Sequence, residues 1–362
     1  MRVLVATDSI GSMSSAAAGG AIAGGWLRTA PDAQLAVVPM GEAGAGFAQA
    51  MADQWDVEVA VATGGGNEIA TCVRGERDLL IGAEGPAQRH DPAAKGLNTT
   101  GSSTGFGEVV ADQVRQRRPD RLLLDLAGLD THDAGAGLLG ALGATADVDL
   151  TAGVAGLADL TTLDLDPVRD LLVGVDLVAV VPTVEQGQHL LGLRGITSLK
   201  GREADTDQAV MLAVDSSIER LAALAGPDAA GLPGAGACGG VAWAIAALGG
   251  RIVTAEQACA EQAGFDTTIE QADLVLTGST VYDFASRGGG VMQYVAERAQ
   301  QVMRPCIALA GEVVIGGREM RTMGIESAYP VHRTVGDVAT GGDIALDELA
   351  ALAERVANSW LW

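Results

Sequence analysis

Hydrophobic positions near both ends of the chain alternate between two periods, that of a buried strand and that of an amphipathic helix. A continuous apolar run predicts a strand at residues 2–7, and helical spacing follows from Asp8-Ser9 to Leu27. Strands that alternate with helices in this way are typical of a parallel sheet covered on both faces. The two ends predict strands at residues 2–7, 34–39, 272–277 and 306–310, helices that end near residues 27, 53, 303 and 358, and a helix that begins with a capping box at Thr254.

In the middle of the chain, predicted strands and helices do not alternate regularly. Strand-like runs follow one another there with only glycine-rich turns between them, and the alternation that comes next is less regular. The predicted elements are strands at residues 56–62, 68–73, 78–81, 121–126 and 171–181 and helices at residues 105–118, 134–142 and 205–224. We therefore predict an α/β protein with two domains. A parallel-sheet domain is built from both chain ends, residues 1–64 and 245–362, and an α/β domain, residues 65–244, is inserted into it.

The net charge of the chain limits the classes of molecule that it is expected to bind. The formal net charge is −23, from 46 acidic and 23 basic residues. A surface of this sign repels phosphate backbones and anionic lipids, so we expect neither a nucleic acid nor a membrane as partner. Residues 229–250 carry no charge, but they contain Pro233 and a high share of glycine. We interpret them as a glycine-rich loop that leads into a buried helix rather than as a membrane span.

The cysteines and the N-terminus indicate a cytoplasmic protein. No C-x-x-C pair occurs among the four cysteines, and the N-terminus does not resemble a signal peptide. We expect buried thiols in a reducing compartment. Trp360 and Trp362 end the sequence. Two exposed indoles would be unusual in a monomer, so a homodimer is one interpretation, and packing onto the same subunit is the other.

Candidate chemistry lies in loops that follow predicted strands, where ligands of parallel sheets collect. The carboxylates are Asp8, Asp133, Asp176 and Asp283, the cations are Lys200 and Arg287, and the amide-rich loop is at residues 233–240. Phosphoryl transfer needs amides and a cation on the phosphates, a carboxylate for Mg²⁺ and a carboxylate that takes a hydroxyl proton. Structural alternatives remain for several of these residues. Asp8-Ser9 and Asp133 are also suited to cap helices, and glycine turns also allow close packing.

Other binding motifs are weaker or absent. Two segments match G-x-G-x-x-G, at Gly135, Gly137 and Gly140 and at Gly234, Gly236 and Gly239. Neither begins at the end of a predicted strand, so a nicotinamide site is a minor alternative. The chain has no Walker A loop and no spaced Cys and His ligands, and we predict no zinc site.

Five segments together carry a family resemblance. They are residues 5–9 (VATDS), 103–108 (STGFGE), 133–143 (DAGAGLLGALG), 232–240 (LPGAGACGG) and 272–311, which begins ADLVLTG and ends PCIALAG. In this order they resemble the bacterial glycerate kinases of the first type, and LPGAGACGG is the most specific match. The resemblance implies a flavodoxin-like domain made from both termini with an inserted α/β domain, the glycerate kinase I fold. It also implies transfer of the ATP γ-phosphate to a hydroxyl of D-glycerate, with Mg²⁺.

Departures from the family pattern leave two hypotheses. Gly11 stands where the family has Lys, and Ser279, Val281, Ala285 and Gly290 stand where it has Glu, Arg, Gln and Lys. The first hypothesis is a kinase for D-glycerate or a related small hydroxy acid, with Asp133, Asp176 and Asp283 as catalytic candidates. The phosphates would contact Asp8, Ser9, Lys200, Gly234, Gly236, Gly239, Ser286, Arg287 and Gly289. The alternative is a catalytically impaired relative that binds a metabolite or a protein.

Overall fold

The structure is a computed structural model that describes residues 1–65, 68–84, 96–284, 290–332 and 344–360. The strands in these ranges are β1 (Arg2–Thr7), β2 (Gln34–Pro39), β3 (Val59–Thr63), β4 (Ile69–Arg74), β5 (Asp78–Ala83), β6 (Arg121–Asp125), β7 (Thr145–Ala146), β8 (Leu163–Asp164), β9 (Asp176–Val181), β10 (Arg251–Thr254), β11 (Leu274–Thr277), β12 (Val281–Tyr282), β13 (Cys306–Ala310), β14 (Glu312–Val313) and β15 (Ser327–Pro330). The helices are α1 (Ser15–Thr29), α2 (Ala45–Trp55), α3 (Thr104–Gln116), α4 (Ala136–Leu142), α5 (Asp166–Leu171), α6 (Ile196–Glu203), α7 (Gln208–Ala225), α8 (Val241–Ala247), α9 (Ala255–Ala263), α10 (Phe265–Gln271), α11 (Val291–Gln301), α12 (Gly317–Thr322) and α13 (Leu346–Trp360).

The chain forms two compact units. The first unit contains Met1–Val57 and Ala255–Trp362, and the second contains Glu58–Thr254. These boundaries differ from the predicted ones at residues 64 and 244. The reason is that β3 and β10 pair with β4 and β9 and so belong to the sheet of the second unit.

The first unit contains a five-stranded parallel sheet in the order β15-β13-β11-β1-β2. Counted along this unit alone, the order is 2-1-3-4-5, which is the flavodoxin-like arrangement. The predicted flavodoxin-like parallel sheet built from both chain ends is therefore confirmed. Strands β11 and β13 are buried along their whole length, as expected for a sheet covered on both faces.

Helices α1 and α13 pack against each other beside this sheet. The Ser14 hydroxyl caps α1 by accepting a hydrogen bond from the N–H of Ala17. The contact with α13 requires Gly25, because a Cβ at that position would lie 2.0 Å from the backbone oxygen of Ala350. At the end of α13, Trp360 donates its indole N–H to the hydroxyl of Tyr329 over 2.9 Å. Trp360 therefore packs within its own unit, whereas Trp362 lies outside the described residues.

The second unit contains a six-stranded mixed sheet in the order β10-β9-β6-β5-β4-β3. Strands β3, β4 and β5 are antiparallel, and β5, β6, β9 and β10 are parallel. The predicted strand at residues 171–181 is shorter in the structure, where β9 begins at Asp176. Its first residues instead complete α5, which starts at Asp166-Pro167, and a turn in which Gly174 has a φ of 77°.

The uncharged segment at residues 229–250 leads into α8, which is buried. Buried apolar side chains of α3, α4 and α8 form the core of this unit together with those of β6 and β9. No helix among the described residues combines the length and the hydropathy needed to cross a bilayer.

Candidate active site

A polar cavity of about 240 Å³ lies at the carboxyl ends of β1, β2 and β11 in the first unit. Strand β1 leads to β2 on one side, while β11 leads towards β13 and β15 on the other. The cavity therefore lies at the topological switch point of the sheet, where parallel α/β domains bind ligands. We call it the first pocket. It is lined by Asp8, Ser9, Glu42, Ser279, Thr280, Val281, Gly290, Val291 and Met292.

Hydrogen bonds tie the loop after β1 to the loop after β11. The backbone N–H of Asp8 donates to the carbonyl of Gly278 over 3.1 Å, and the Asp8 carboxylate accepts the N–H of Ser9 over 2.7 Å. The N–H of Gly11 donates to the hydroxyl of Thr280 over 2.9 Å. These bonds hold the Asp8 carboxylate at the end of its strand.

Glu42 brings a second carboxylate to the first pocket from the turn after β2. It accepts the backbone N–H of Val291 at the start of α11. A Cβ at Gly290 would lie 2.2 Å from the Glu42 carboxylate, so the approach of this side chain requires glycine. Glu42 therefore lies directly against the amino end of an 11-residue helix.

The two carboxylates are crowded by negative charge. Burial raises the pKa of Asp8, and the charge of Glu256 adds to this rise, while the hydrogen bonds with Ser9 oppose it. Burial also raises the pKa of Glu42, and the charges of Asp8 and Glu256 raise it further. Glu256, on α9, is 2% exposed. No Lys or Arg is among the described residues that line the pocket, so a bound cation would relieve this repulsion.

A second pocket of about 280 Å³ lies in the second unit, at the carboxyl ends of β5 and β6 and the start of α3. Its described lining contains hydroxyls, an amide and carboxylates but no Lys or Arg. The residues are Glu68, Ile69, Ala83, Glu84, Asn98, Gly101, Ser102, Ser103, Gly105, Phe106, Gly128, Leu129, Asp130 and Thr131. Like the first pocket, the second pocket lies where loops leave the carboxyl ends of parallel strands, which is where parallel α/β sheets bind ligands.

A model of the glycerate kinase family matches residues 3–361. The chain belongs to the glycerate kinase family. It is 25% identical over 379 residues to the glycerate kinase of Bacillus cereus, which covers 99% of this chain and 98% of that protein. It is 27% identical over 384 residues to the glycerate 2-kinase of Escherichia coli K12, with 99% and 97% covered. A crystal structure assigned as glycerate kinase 2 from Salmonella typhimurium LT2 shares the fold, with a TM-score of 0.77, 23% identity and 99% and 98% covered.

In this family member, Asp133 is a buried anchor rather than a solvent-facing carboxylate. It is 0% exposed and accepts four hydrogen bonds. The donors are the N–H and hydroxyl of Ser103, both at 2.8 Å, and the N–H groups of Gly135 and Gly137 at 3.0 and 3.1 Å. Asp133 thus connects the loop after β6 to the start of α3, and both segments line the second pocket.

Asp176 lies at the amino ends of the parallel strands of the same sheet, opposite the carboxyl ends where Asp133 lies. It is the exposed first residue of β9, whereas Asp133 follows the carboxyl end of the neighbouring parallel strand β6. A strand of this length separates its two ends by roughly 16 Å. The structure therefore does not bring Asp176 together with Asp133 or with the second pocket.

The glycine-rich segment at residues 234–240 is buried, and most of its amides are used within the protein. The N–H groups of Gly236, Ala237 and Gly240 donate to backbone carbonyls, and that of Cys238 donates to the Glu185 carboxylate over 2.7 Å. A Cβ at Gly239 would lie 1.8 Å from the carbonyl oxygen of Thr131. Gly234, Gly236 and Gly239 therefore pack loops together, which was the structural alternative for glycine turns.

Among the remaining predicted residues, Lys200 lies on α6 of the second unit and lines neither pocket. Asp8 and Ser9 line the first pocket, and Asp283 follows β12 two residues after Val281. Ser286, Arg287 and Gly289 lie outside the described residues. Sequence analysis did not nominate Glu42, Ser279, Thr280 or Glu256. The signal for Glu42 in the sequence is its position in the glycine-rich turn after a predicted parallel strand.

Proposed function

We propose that the protein transfers the γ-phosphoryl group of ATP to a hydroxyl of D-glycerate or a related small hydroxy acid. Membership of the glycerate kinase family over residues 3–361 supports phosphoryl transfer from a nucleotide to a small acid. The observation that carries the proposal to particular residues is the first pocket, where Asp8 and Glu42 face one cavity at the switch point of a parallel sheet.

The residues of this pocket fit Mg²⁺. The pKa values of Asp8 and Glu42 are raised because both ionised side chains are partly desolvated and repel each other and Glu256. The described residues contain no group of three or more His, Cys, Asp or Glu side chains placed to hold a metal ion. Two carboxylates suffice for Mg²⁺ in phosphoryl-transfer sites, where water and phosphate oxygens complete the coordination. When bound, Mg²⁺ neutralises charge on the phosphates.

In this proposal, side chains around the first pocket position the phosphates and place charge near the transferred phosphoryl group. The hydroxyls of Ser9, Ser279 and Thr280 line the pocket and are suited to contact phosphate oxygens. We assign to Asp283 the role of accepting the hydroxyl proton of the acceptor, and to Arg287 the role of the cation that contacts the phosphates. Ser286 and Gly289, which are close to both in sequence, are proposed as further phosphate contacts. Asp133 has a positioning role in this proposal because its oxygens are occupied, and Asp176 has none.

The test is ATP-dependent phosphorylation of D-glycerate by the purified protein, with Asp8→Asn and Glu42→Gln as variants. Each should lower kcat by about 10²- to 10³-fold, the usual loss when one group that stabilises transition-state charge is removed. Both should also require more Mg²⁺ for half-maximal rate. The matched control is Asp32→Asn, an exposed carboxylate in the loop before β2, which should leave the rate unchanged.

The pH dependence of the rate provides a second readout. A protonated carboxylate does not bind Mg²⁺, and the pKa values of Asp8 and Glu42 are above their ordinary values. The rate should therefore fall on acidification at a higher pH than an ordinary Asp or Glu would give, and added Mg²⁺ should move that fall to lower pH. Absence of turnover on glycerate and related hydroxy acids, or full activity in both variants, would contradict the proposal.

A further inference from the structure

Strand β3 is an edge strand without the usual protection against pairing with another chain. Among the described residues, the two large sheets end in four edge strands, β15 and β2 in the first unit and β10 and β3 in the second. Natural edge strands are protected by a proline, a charge, a bulge or shortness. Strands β2 and β15 end in Pro39 and Pro330, and β10 is four residues long and begins with Arg251. The sequence of β3, VAVAT, contains neither a charge nor a proline, and it pairs one-to-one with β4 along its whole length.

The ladder with β4 shows which backbone groups of β3 point away from the sheet. The N–H of Gly64 donates to the carbonyl of Glu68 over 2.9 Å, so these two opposed residues form a hydrogen-bonded pair. Hydrogen-bonded and non-hydrogen-bonded pairs alternate along an antiparallel ladder. Val59, Val61 and Thr63 therefore direct their N–H and C=O groups away from β4, and no described residue pairs with that side of the strand.

The side chains of the same three residues share one face of the sheet, because side chains alternate along a strand. Val59 is 40% exposed, Val61 is 68% exposed, and Ile69, which lies opposite Thr63 on β4, is 53% exposed. We call these side chains, together with the outward backbone groups, the β3 edge. An uncovered apolar strip that also offers unpaired backbone groups is suited to add a strand from another chain.

The β3 edge is complementary to a second copy of itself. Val61 lies midway between Val59 and Thr63, so a two-fold axis at Val61 places this residue opposite its own copy and Val59 opposite the second copy's Thr63. Each opposed pair then exchanges two backbone hydrogen bonds, and every outward group of the three residues has a partner. The opposed side chains are all β-branched, which is a favourable combination across an antiparallel pair.

The distribution of charge also favours a second copy at this edge. A chain with a net charge of −23 repels another copy over most of its surface, whereas β3 itself is uncharged. In the two-fold register, Glu58, which precedes β3, lies opposite the second copy's Gly64, so no like charges oppose each other. Five residues per chain are few compared with the roughly 20–30 of a stable interface. We therefore expect a reversible dimer with a Kd in the micromolar range.

We propose that the protein forms a dimer in which β3 pairs antiparallel with β3 of a second copy about a two-fold axis at Val61. The six-stranded sheets of the two chains then continue into each other across the axis. The contact uses the same residues on both sides, as in other two-fold dimers. This proposal does not depend on the proposed kinase function.

Sedimentation equilibrium of the purified full chain tests whether the dimer forms. The average mass should rise from that of one chain towards that of two between micromolar and hundreds of micromolar protein. Val61→Lys places two ammonium groups opposite each other at the axis and should raise Kd about tenfold or more. The matched control is Val173→Lys, which adds the same charge at a valine that is 65% exposed in the turn before β9 and should leave Kd unchanged. A monomer at every concentration would overturn the proposal and leave the β3 edge to a different extended segment.

Engineered cysteines test the register. The four natural cysteines are buried, so an exposed new thiol reacts on its own. Copies of Val61→Cys meet at the axis with Cα atoms about 5.5 Å apart, within reach of a disulfide, and mild oxidation should link them. Copies of Val59→Cys lie roughly 14 Å apart in this register and should not be linked, whereas a mixture of Val59→Cys and Thr63→Cys proteins should yield the mixed dimer. Equal linking of Val59→Cys and Val61→Cys, or no linking of Val61→Cys, would overturn the pairing.

Discussion

His132 makes the second unit sensitive to acid in a way that can be worked out from its surroundings. Burial lowers the pKa of this side chain from 6.5 to about 4, and the nearby charge of Lys200 contributes to the shift. The unfolded chain binds a proton at His132 below pH 6.5, whereas the folded protein resists protonation until about pH 4. The free energy of unfolding therefore falls as the pH decreases through this window and does not change further, on account of His132, below it.

The magnitude follows from proton linkage. Each pH unit between the two pKa values costs about 1.4 kcal/mol, so acidification from pH 7 to pH 5 should remove about 2 kcal/mol of stability through His132. Urea unfolding at both pH values measures the total loss, which includes the carboxylates. His132→Gln keeps a group able to hydrogen-bond Thr197 but does not titrate, so the variant should lose about 2 kcal/mol less than the wild type over the same interval.

A matched control and a direct measurement complete this test. The same substitution at an exposed histidine of this unit, His189→Gln, is the matched control for the loss of an imidazole. The ring signals of the histidines, assigned with the two variants, should show His132 titrating near pH 4. Equal losses of stability in wild type and His132→Gln, or a ring that titrates near pH 6.5, would refute the reasoning about burial.

Two further predictions concern packing and thiol reactivity. In α1, Gly24→Ala should stabilise the protein by about 0.5–1 kcal/mol, because a Cβ at that position meets nothing within 4 Å. Gly25→Ala should destabilise the protein by about 1–3 kcal/mol, because its Cβ meets the backbone of Ala350. Urea unfolding of the two variants measures both changes, and equal effects would contradict the packing argument. All four cysteines are buried, and burial raises the pKa of the Cys306 thiol to about 12. An aromatic disulfide reagent should thus label the unfolded chain rapidly and the native protein slowly, and a fast-reacting native thiol would show that one of them is accessible.

Much of the fold could be predicted because its signals are local. The apolar run at residues 2–7 and the helical spacing after it predicted β1 and α1, and the same alternation near the other end predicted β11 and β13, whereas β15 was not predicted. The motifs that resemble glycerate kinases are also contiguous stretches of sequence. The start of β9 could not be predicted correctly, because apolar residues of α5 and of the following turn continue directly into the apolar strand.

The candidate site could be predicted only in part. Asp8 and Ser9 were found because they directly follow a strand whose period is clear. Asp133 was a catalytic candidate, but nothing local indicates that four donors from two segments would occupy its oxygens. The same applies to the amides of residues 234–240, which are occupied by Gln188, Glu185 and backbone carbonyls of the segment itself.

By itself, the amino-acid sequence determined the order and type of the elements and the family, because periodicity and contiguous motifs depend on neighbours along the chain. Only the tertiary structure decided which polar groups remain available for a ligand. It places Glu42 against Val291 and Asp8, leaves the Lys200 side chain without a described partner, and separates Asp176 from the second pocket. The physical reason is that hydrogen bonding and desolvation are set by groups far away in sequence, which meet only when the sheets and helices pack.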